Sequence, residues 1–281
     1  MKKIIIASIL ILSFQSMQAQ ERASKLMLVK GQKIKIKSID TSDIKQKRGE
    51  ESMDMKTLSN AETEMVVLEV KENGYLATTS LKKINVDFEG FGQKMQYDSE
   101  NPGKQEGMMA EQLKNAINKL DTIQLDFEGK KIEEEEGDDP KKGRGKGGRG
   151  GMMRMMNQAG TNVENAFLLI PAEAKEGNGW KKDATKDGMR TQTIYFVEKI
   201  DGPIAIVSFK KKTKGTITRS GGQGGEMKIE SDNLSNGMIT VDMTSGVVKS
   251  YTETTNTNSK TNMMGQDMPS TGTVISHIVF E

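Results

Sequence analysis

The sequence predicts a mainly β protein built on a large curved antiparallel sheet, an open barrel or half-barrel, with one or two short helices. Three observations carry this. Apolar and polar residues alternate with period two in several runs, which marks strands with one buried and one wet face. Dipeptides that suit tight hairpins separate the runs. Helical spacing occurs in only two short segments, too few for a helical layer. The alternative arrangement is two related β-sandwich-like halves.

Taken in chain order, Lys33-Ile34-Lys35-Ile36-Lys37 alternates strictly, as do Ile84-Asn85-Val86-Asp87-Phe88 and Ile123-Gln124-Leu125-Asp126-Phe127. Later strands are expected at Thr191–Val197, Ile204–Lys210, Ile239–Met243, Val247–Tyr251 and Val274–Phe280. Turns are expected at Asn73-Gly74, Glu128-Gly129, Asp201-Gly202-Pro203, Asn236-Gly237 and Ser245-Gly246. Met109, Leu113, Ile117 and Leu120 fall at helical spacing. Thr161-Asn162-Val163-Glu164 has capping-box spacing ahead of Ala166-Phe167-Leu168-Leu169-Ile170, and Pro171 stops that second helix.

Residues 1–19 read as a secretory signal peptide: Lys2 and Lys3, then an apolar run from Ile4 to Phe14, then a small residue at Ala19-Gln20. The run falls short of the roughly 20 apolar residues of a membrane-spanning helix. The expected location is therefore the periplasm or the exterior. The chain has no cysteine. That excludes disulfides, thiolate chemistry, cysteine metal sites and a lipidated cysteine, so the expected protein is not lipid-anchored. Loss of Lys2 and Lys3 leaves 39 basic against 39 acidic residues, a neutral mature chain with no global field for nucleic acid or anionic lipid. Mean hydropathy is −0.59, and no transmembrane segment is expected in the mature chain.

Residues 137–160 divide the chain. Glycine recurs through Gly143–Gly151 and methionine through Met152–Met156, a composition that favours neither helix nor strand. The expected organisation is residues 1–19 as signal, 20–136 as a β-rich first half with a short helix near 109–120, 137–160 as a flexible linker, and 161–281 as a β-rich second half. A faint repeat links the halves. Val67-Leu68-Glu69-Val70 before Asn73-Gly74 resembles Tyr195-Phe196-Val197-Glu198 before Asp201-Gly202.

Each candidate chemistry has a plainer reading. The Gly/Arg run resembles an RNA-binding segment, but it has no aromatic residue to stack on bases and follows an export signal; a solvated linker accounts for it. The methionine clusters at Met108-Met109, Met152–Met156 and Met263-Met264-Met268 suit soft Cu(I), yet His277 is the lone histidine and there is no cysteine to join them. His277 lies among Val274, Ile275, Ile278 and Val279, as a strand residue would, and no Gly-x-Ser-x-Gly elbow accompanies it. The acidic run Glu133–Asp139 lacks the spacing of a Ca²⁺ loop. Paired carboxylates remain open for hydrolysis, with few aromatic residues to hold a sugar. Gly177-Asn178-Gly179-Trp180 reads as an anchor for the second half. No catalytic, cofactor-binding or metal-binding residue is assigned, and no cofactor is expected.

Together these residues resemble a domain-of-unknown-function family of secreted or lipid-anchored bacterial envelope proteins. The resemblance rests on the strand after Lys30-Gly31, Asn73-Gly74-Tyr75, Phe127-Glu128-Gly129-Lys130, Ile170-Pro171, the Gly-x-Gly-Trp turn and Met243-Thr244-Ser245-Gly246. It departs from the family at Asn178 and Gly179, where an Asp is common. It implies a mainly β fold and an envelope location, and no catalytic residues. The expected function is a non-catalytic envelope protein that holds a lipid or other apolar ligand in the concave face of its sheet. The alternatives are a carboxylate-dependent hydrolase and a structural partner in an envelope assembly. Expected partners are an apolar ligand or an envelope protein, and no nucleic acid; oligomeric state is left open.

Overall fold

The computed structural model describes residues 22–90, 92–101, 108–132, 163–220, 226–263 and 265–281. The expected signal peptide and linker, the Gly/Arg run, the acidic run Glu133–Asp139 and Met152–Met156 lie outside them. Eleven strands form in chain order: β1 (Lys33–Arg48), β2 (Glu51–Lys71), β3 (Gly74–Gly90), β4 (Gln93–Asp98), β5 (Asp121–Leu125), β6 (Gly179–Lys186), β7 (Met189–Asp201), β8 (Ile204–Ser220), β9 (Glu226–Asp242), β10 (Val248–Met263) and β11 (Gln266–Phe280). Among the described residues one helix, α1 (Met108–Ala116), lies between β4 and β5, and one 3-10 turn spans Val163–Ala166.

All strands join one antiparallel sheet of order β4-β3-β2-β1-β11-β10-β9-β8-β7-β6, with β5 also on β3. The sheet does not close. It is two meanders joined where β1 pairs with β11, from Ile36↔Phe280 to Gln46↔Ser270. Backbone bonds between Lys35 and Glu281 run both ways at that seam. Curvature follows from the core. Met65, Tyr75 and Leu125 of one arm share a single apolar cluster with Val197, Val207, Phe209 and Val241 of the other. Strands spaced about 4.8 Å apart place those arms far from each other unless the sheet curls.

Two lead-in segments seal one end of this core, and they are built alike. Gly31 (φ 83°) and Gly177 (φ 79°) each donate a backbone N–H, to Val67 and Val197 respectively. Val67 and Val197 donate back to Gln32 and Asn178, both valines are fully buried, and each precedes a register shift. The hairpins then match pair for pair: Val67↔Ala77 and Lys71↔Gly74 correspond to Val197↔Val207 and Asp201↔Ile204. A bulge leaves one residue unpaired and bends the strand at the same level in both arms. Arg22 ties the two lead-ins together by donating to the carbonyls of Pro171 and Ala174.

Several sequence expectations change in the structure. α1 ends at Ala116, so Leu120 is exposed, while Leu113 and Ile117 pack on Ala61, Ile84, Val86 and Tyr97. The expected second helix is one 3-10 turn; Phe167 then bridges Val247 and Leu168 donates to Gly246, which draws the backbone out straight. Asn236-Gly237 is no turn but lies inside β9. Gly237 is needed there for space: a Cβ would collide with the Thr252 carbonyl oxygen and lie 2.7 Å from the Phe209 ring. Gly237→Ala is expected to lower stability by about 1–3 kcal/mol, the usual range for overpacking, measured by urea unfolding with an unchanged m-value.

Candidate functional site

The core-bearing face of the sheet carries one unbroken row of opposed residues across ten strands. From β4 to β6 it reads Tyr97, Val86, Ser59, Asp40, Ser276, Glu253, Gly237, Phe209, Tyr195 and Trp180. Period-two alternation puts every member on the inner face. Below the row, toward the sealed end, most inner positions are apolar: Ile36, Ile278, Tyr251, Ile239 and Val207 are all buried, with Ser38 and Thr63 as buried polar residues among them. Above it polar residues predominate, with Ser42, Thr255, Ser235, Lys211 and Thr193, while Val274 and the buried Ile44 remain apolar there. The row is the boundary between core and wet surface.

Its β6 side is an aromatic ladder. Trp180 stacks on Tyr195 with ring centroids 4.8 Å apart, Tyr195 meets Phe209 at 6.3 Å, and Phe209 stacks on Tyr251 at 5.5 Å across Gly237. Phe209 and Tyr251 are buried, whereas Trp180 and Tyr195 are half-buried. The Trp180 Nε1–H is shielded from solvent and has no acceptor among the described residues. Lys182, the next inner position on β6, faces Glu128, Lys130 and Asp126 on the turn after β5. Crowding of its ammonium pushes its pKa down, against the pull of Glu128. The two edges of the open sheet approach each other there.

The middle of the row is ionic. Lys211 Nζ lies 2.5 Å from Glu253 Oε1, Thr255 donates to the same oxygen at 3.2 Å, and Tyr251 donates its hydroxyl to Oε2 at 2.5 Å. Burial pushes the Glu253 carboxyl up, but Lys211, Tyr251 and Ser235 outweigh it and hold the pKa below the ordinary value. Burial and the same carboxylate push the Tyr251 hydroxyl up. Asp40 differs: burial raises its pKa, and the hydroxyls of Ser276 and Ser38 oppose this without outweighing it.

The opposite face carries a belt of exposed apolar residues over three neighbouring levels. It holds Ile39, Leu58, Ile275, Met238, Leu234 and Ile194, with Ile39 and Ile275 both 49% exposed. A shallow depression of about 450 Å³ lies within the belt, against Lys210, Met238, Thr252, Thr254, Ile275 and His277. His277 is a strand residue, opposite Ile39 and Thr252. It points away from Asp40 and Glu253, which sit on the other face. Trp180 packs against the main core, as its reading as an anchor expects. Among the described residues no group of three or more His, Cys, Asp or Glu is placed to hold a metal, and no helix is long and apolar enough to cross a membrane. Sequence reading missed the row because its members are scattered from Asp40 to Ser276. The one available signal was polar residues at inward positions of apolar strands, such as Asp40 after Ile34 and Ile36.

No family model matches the chain, and no curated protein matches it. Among solved structures, an outer-membrane channel from Pseudomonas putida F1 aligns at 7% identity over 93% of this chain and 99% of that one, with a TM-score of 0.26. OccK7 (OpdD) of Pseudomonas aeruginosa aligns at 7% identity over 90% of this chain and 100% of that one, with a TM-score of 0.17. Both scores lie below the range of a shared fold.

Glu253→Gln removes the charge that Lys211 and Tyr251 satisfy. It is expected to destabilise the protein by about 1–3 kcal/mol at neutral pH. Because the native carboxyl is held below its ordinary pKa, its contribution is present above the unfolded value of about 4.3 and is lost as pH falls through the native one. Unfolding midpoints of wild type and variant measured across the acid range should therefore converge toward low pH.

Proposed function

We propose that this chain is a non-catalytic protein of the bacterial cell envelope that binds an amphipathic ligand, a lipid among them, on the inner face of its open sheet. The half-buried Trp180–Tyr195 stack carries the reading. It offers aromatic surface at the edge of a sheet, beside an indole N–H without an acceptor and the Lys182 ammonium. An apolar surface with a few directed polar groups is the general form of a ligand site. The deeper part of the inner face is filled by residues 22–29, Phe167, Leu168 and Ile170, so the ligand lies at the edge and not within the core. The basic and apolar segment at residues 1–19 and the resemblance to secreted envelope proteins support the location.

The hydrolase reading would rest on Asp40 and Glu253, whose pKa values are pushed in opposite directions. Glu253 already receives bonds on both oxygens, which leaves it poorly placed to act as a base. A structural-partner reading draws on the outer belt, whose exposed apolar side chains are interleaved with polar ones.

Trp180 is the single tryptophan, so its emission reports on the site directly. Titration with oleic acid, or with vesicles of phosphatidylethanolamine and phosphatidylglycerol, is expected to shift the emission to the blue and to protect it from iodide quenching. Lys182→Glu should weaken both effects. Unchanged emission and quenching, with native mass spectrometry of protein from its own host showing no bound mass, would rule the reading out.

A further inference from the structure

We propose that the sealed end of the first arm docks on an anionic lipid surface, through Met27, Val29, Leu68 and Val70 and the lysines beside them. This surface is separate from the aromatic edge and does not depend on ligand binding there. The four apolar side chains are between 40% and 64% exposed. Met27 and Val29 alternate with the buried Leu26 and Leu28, so they share the solvent side of the lead-in. Gly31 donates its N–H to Val67, and Val67 donates back to Gln32, which sets the lead-in beside the bulge at Leu68. Val70 follows two residues on, opposite Tyr75 at the end of the hairpin.

The second arm serves as an internal control, because its lead-in and hairpin repeat the same backbone bonds at Gly177, Asn178 and Val197. In that correspondence Leu28 answers to Ala174, and both are buried. Met27, Val29 and Leu68 answer to Glu173, Lys175 and Glu198, all exposed. Only Val70 has an apolar counterpart, the half-buried Ile200. The fold therefore accepts charged residues at three of these positions and does not need apolar ones. Charge reverses as well. Lys30 and Lys71 answer to Glu176 and Asp201, and Glu69 answers to Lys199. The end of the first arm carries Lys25, Lys30, Lys33 and Lys71 against Glu69 and Glu72. That of the second carries Glu173, Glu176, Glu198 and Asp201 against Lys175 and Lys199. One end is apolar and basic, the other polar and acidic.

Exposed apolar side chains set among lysines suit a bilayer surface, where the apolar groups enter the acyl boundary and the ammonium groups meet anionic headgroups. A second copy fits less well. Its acidic end gives Met27, Val29 and Leu68 nothing apolar to meet, and patch against patch brings lysines together.

The test is sedimentation of the full chain with sucrose-loaded vesicles, of phosphatidylglycerol mixed with phosphatidylcholine or of phosphatidylcholine alone. Partitioning to the anionic vesicles is expected to be about tenfold or more the stronger, and to weaken as NaCl is added. Joint Met27→Glu and Leu68→Glu substitution, which copies the second arm, should lower the partitioning about tenfold while circular dichroism and the thermal midpoint stay as in the wild type. Lys30→Glu, at an exposed position, should lower it several-fold and keeps the test available if the double variant fails to fold. Sedimentation without any shift of Trp180 emission by oleic acid would support this proposal while refuting the ligand site at the aromatic edge. Absence of wild-type sedimentation would overturn the proposal and leave an acidic protein as the occupant. Equal binding to both kinds of vesicle, or undiminished binding by the folded double variant, would overturn it too.

Discussion

Pairing between β1 and β11 is the contact on which the rest of the molecule depends. It joins two meanders that share no other strand ladder among the described residues, and it sits at the centre of the sheet order. Without it, Met65 and Tyr75 of one arm have no route to Val207 and Val241 of the other, and the shared core divides. The pairing brings together residues near the two ends of the described chain. The loop-closure cost of such a contact grows slowly, by about 0.6 kcal/mol per doubling of length, so the long segment between β5 and β6 is tolerated.

The same seam sets the chemistry of the inner row. Asp40 and Ser276 face each other across it, Glu253 stands one strand further, and the aromatic ladder begins beyond Gly237. A gradient runs along the strands from a sealed apolar end to a polar open end. The row lies where the gradient changes sign, so its charged side chains are desolvated enough to need partners. Glu253 finds one in Lys211. The two alike hairpins, with a buried valine at each bulge, hold both arms to the same curvature and keep this boundary level across the sheet.

The mainly β class and open sheet were legible because alternation is visible wherever one face is buried, as at Lys33–Lys37 and Ile84–Phe88. The strands run much further than that pattern. β10 continues from Tyr251 through Thr254, Thr255, Asn256 and Thr257 to Met263, and β8 runs on through Lys210, Lys211 and Lys212. Both faces are polar there, so no alternation remains to be read, and most of β6 was missed for the same reason. Asn236-Gly237 misled because the glycine answers to the Thr252 carbonyl and the Phe209 ring and not to a turn. The echo between Val67–Val70 and Tyr195–Glu198 was readable, but its meaning was not. It runs two residues out of step with the repeated bulge, in which Val67 answers to Val197 and which depends on backbone partners in the lead-in segments. The row itself joins residues from ten strands, and only the register puts them side by side.

Disulfide trapping tests the seam most directly, because the chain has no cysteine of its own. Thr41 and Ile275 are cross-strand partners between β1 and β11. Paired cysteines at these two positions should oxidise readily in the folded protein, since opposed strand residues fall within the Cα separation a disulfide accepts. Cysteines at Thr41 and Val279, four residues out of register, should stay reduced. Failure of the first pair to close, or equal closure of both, would contradict the seam and the single curved sheet built on it.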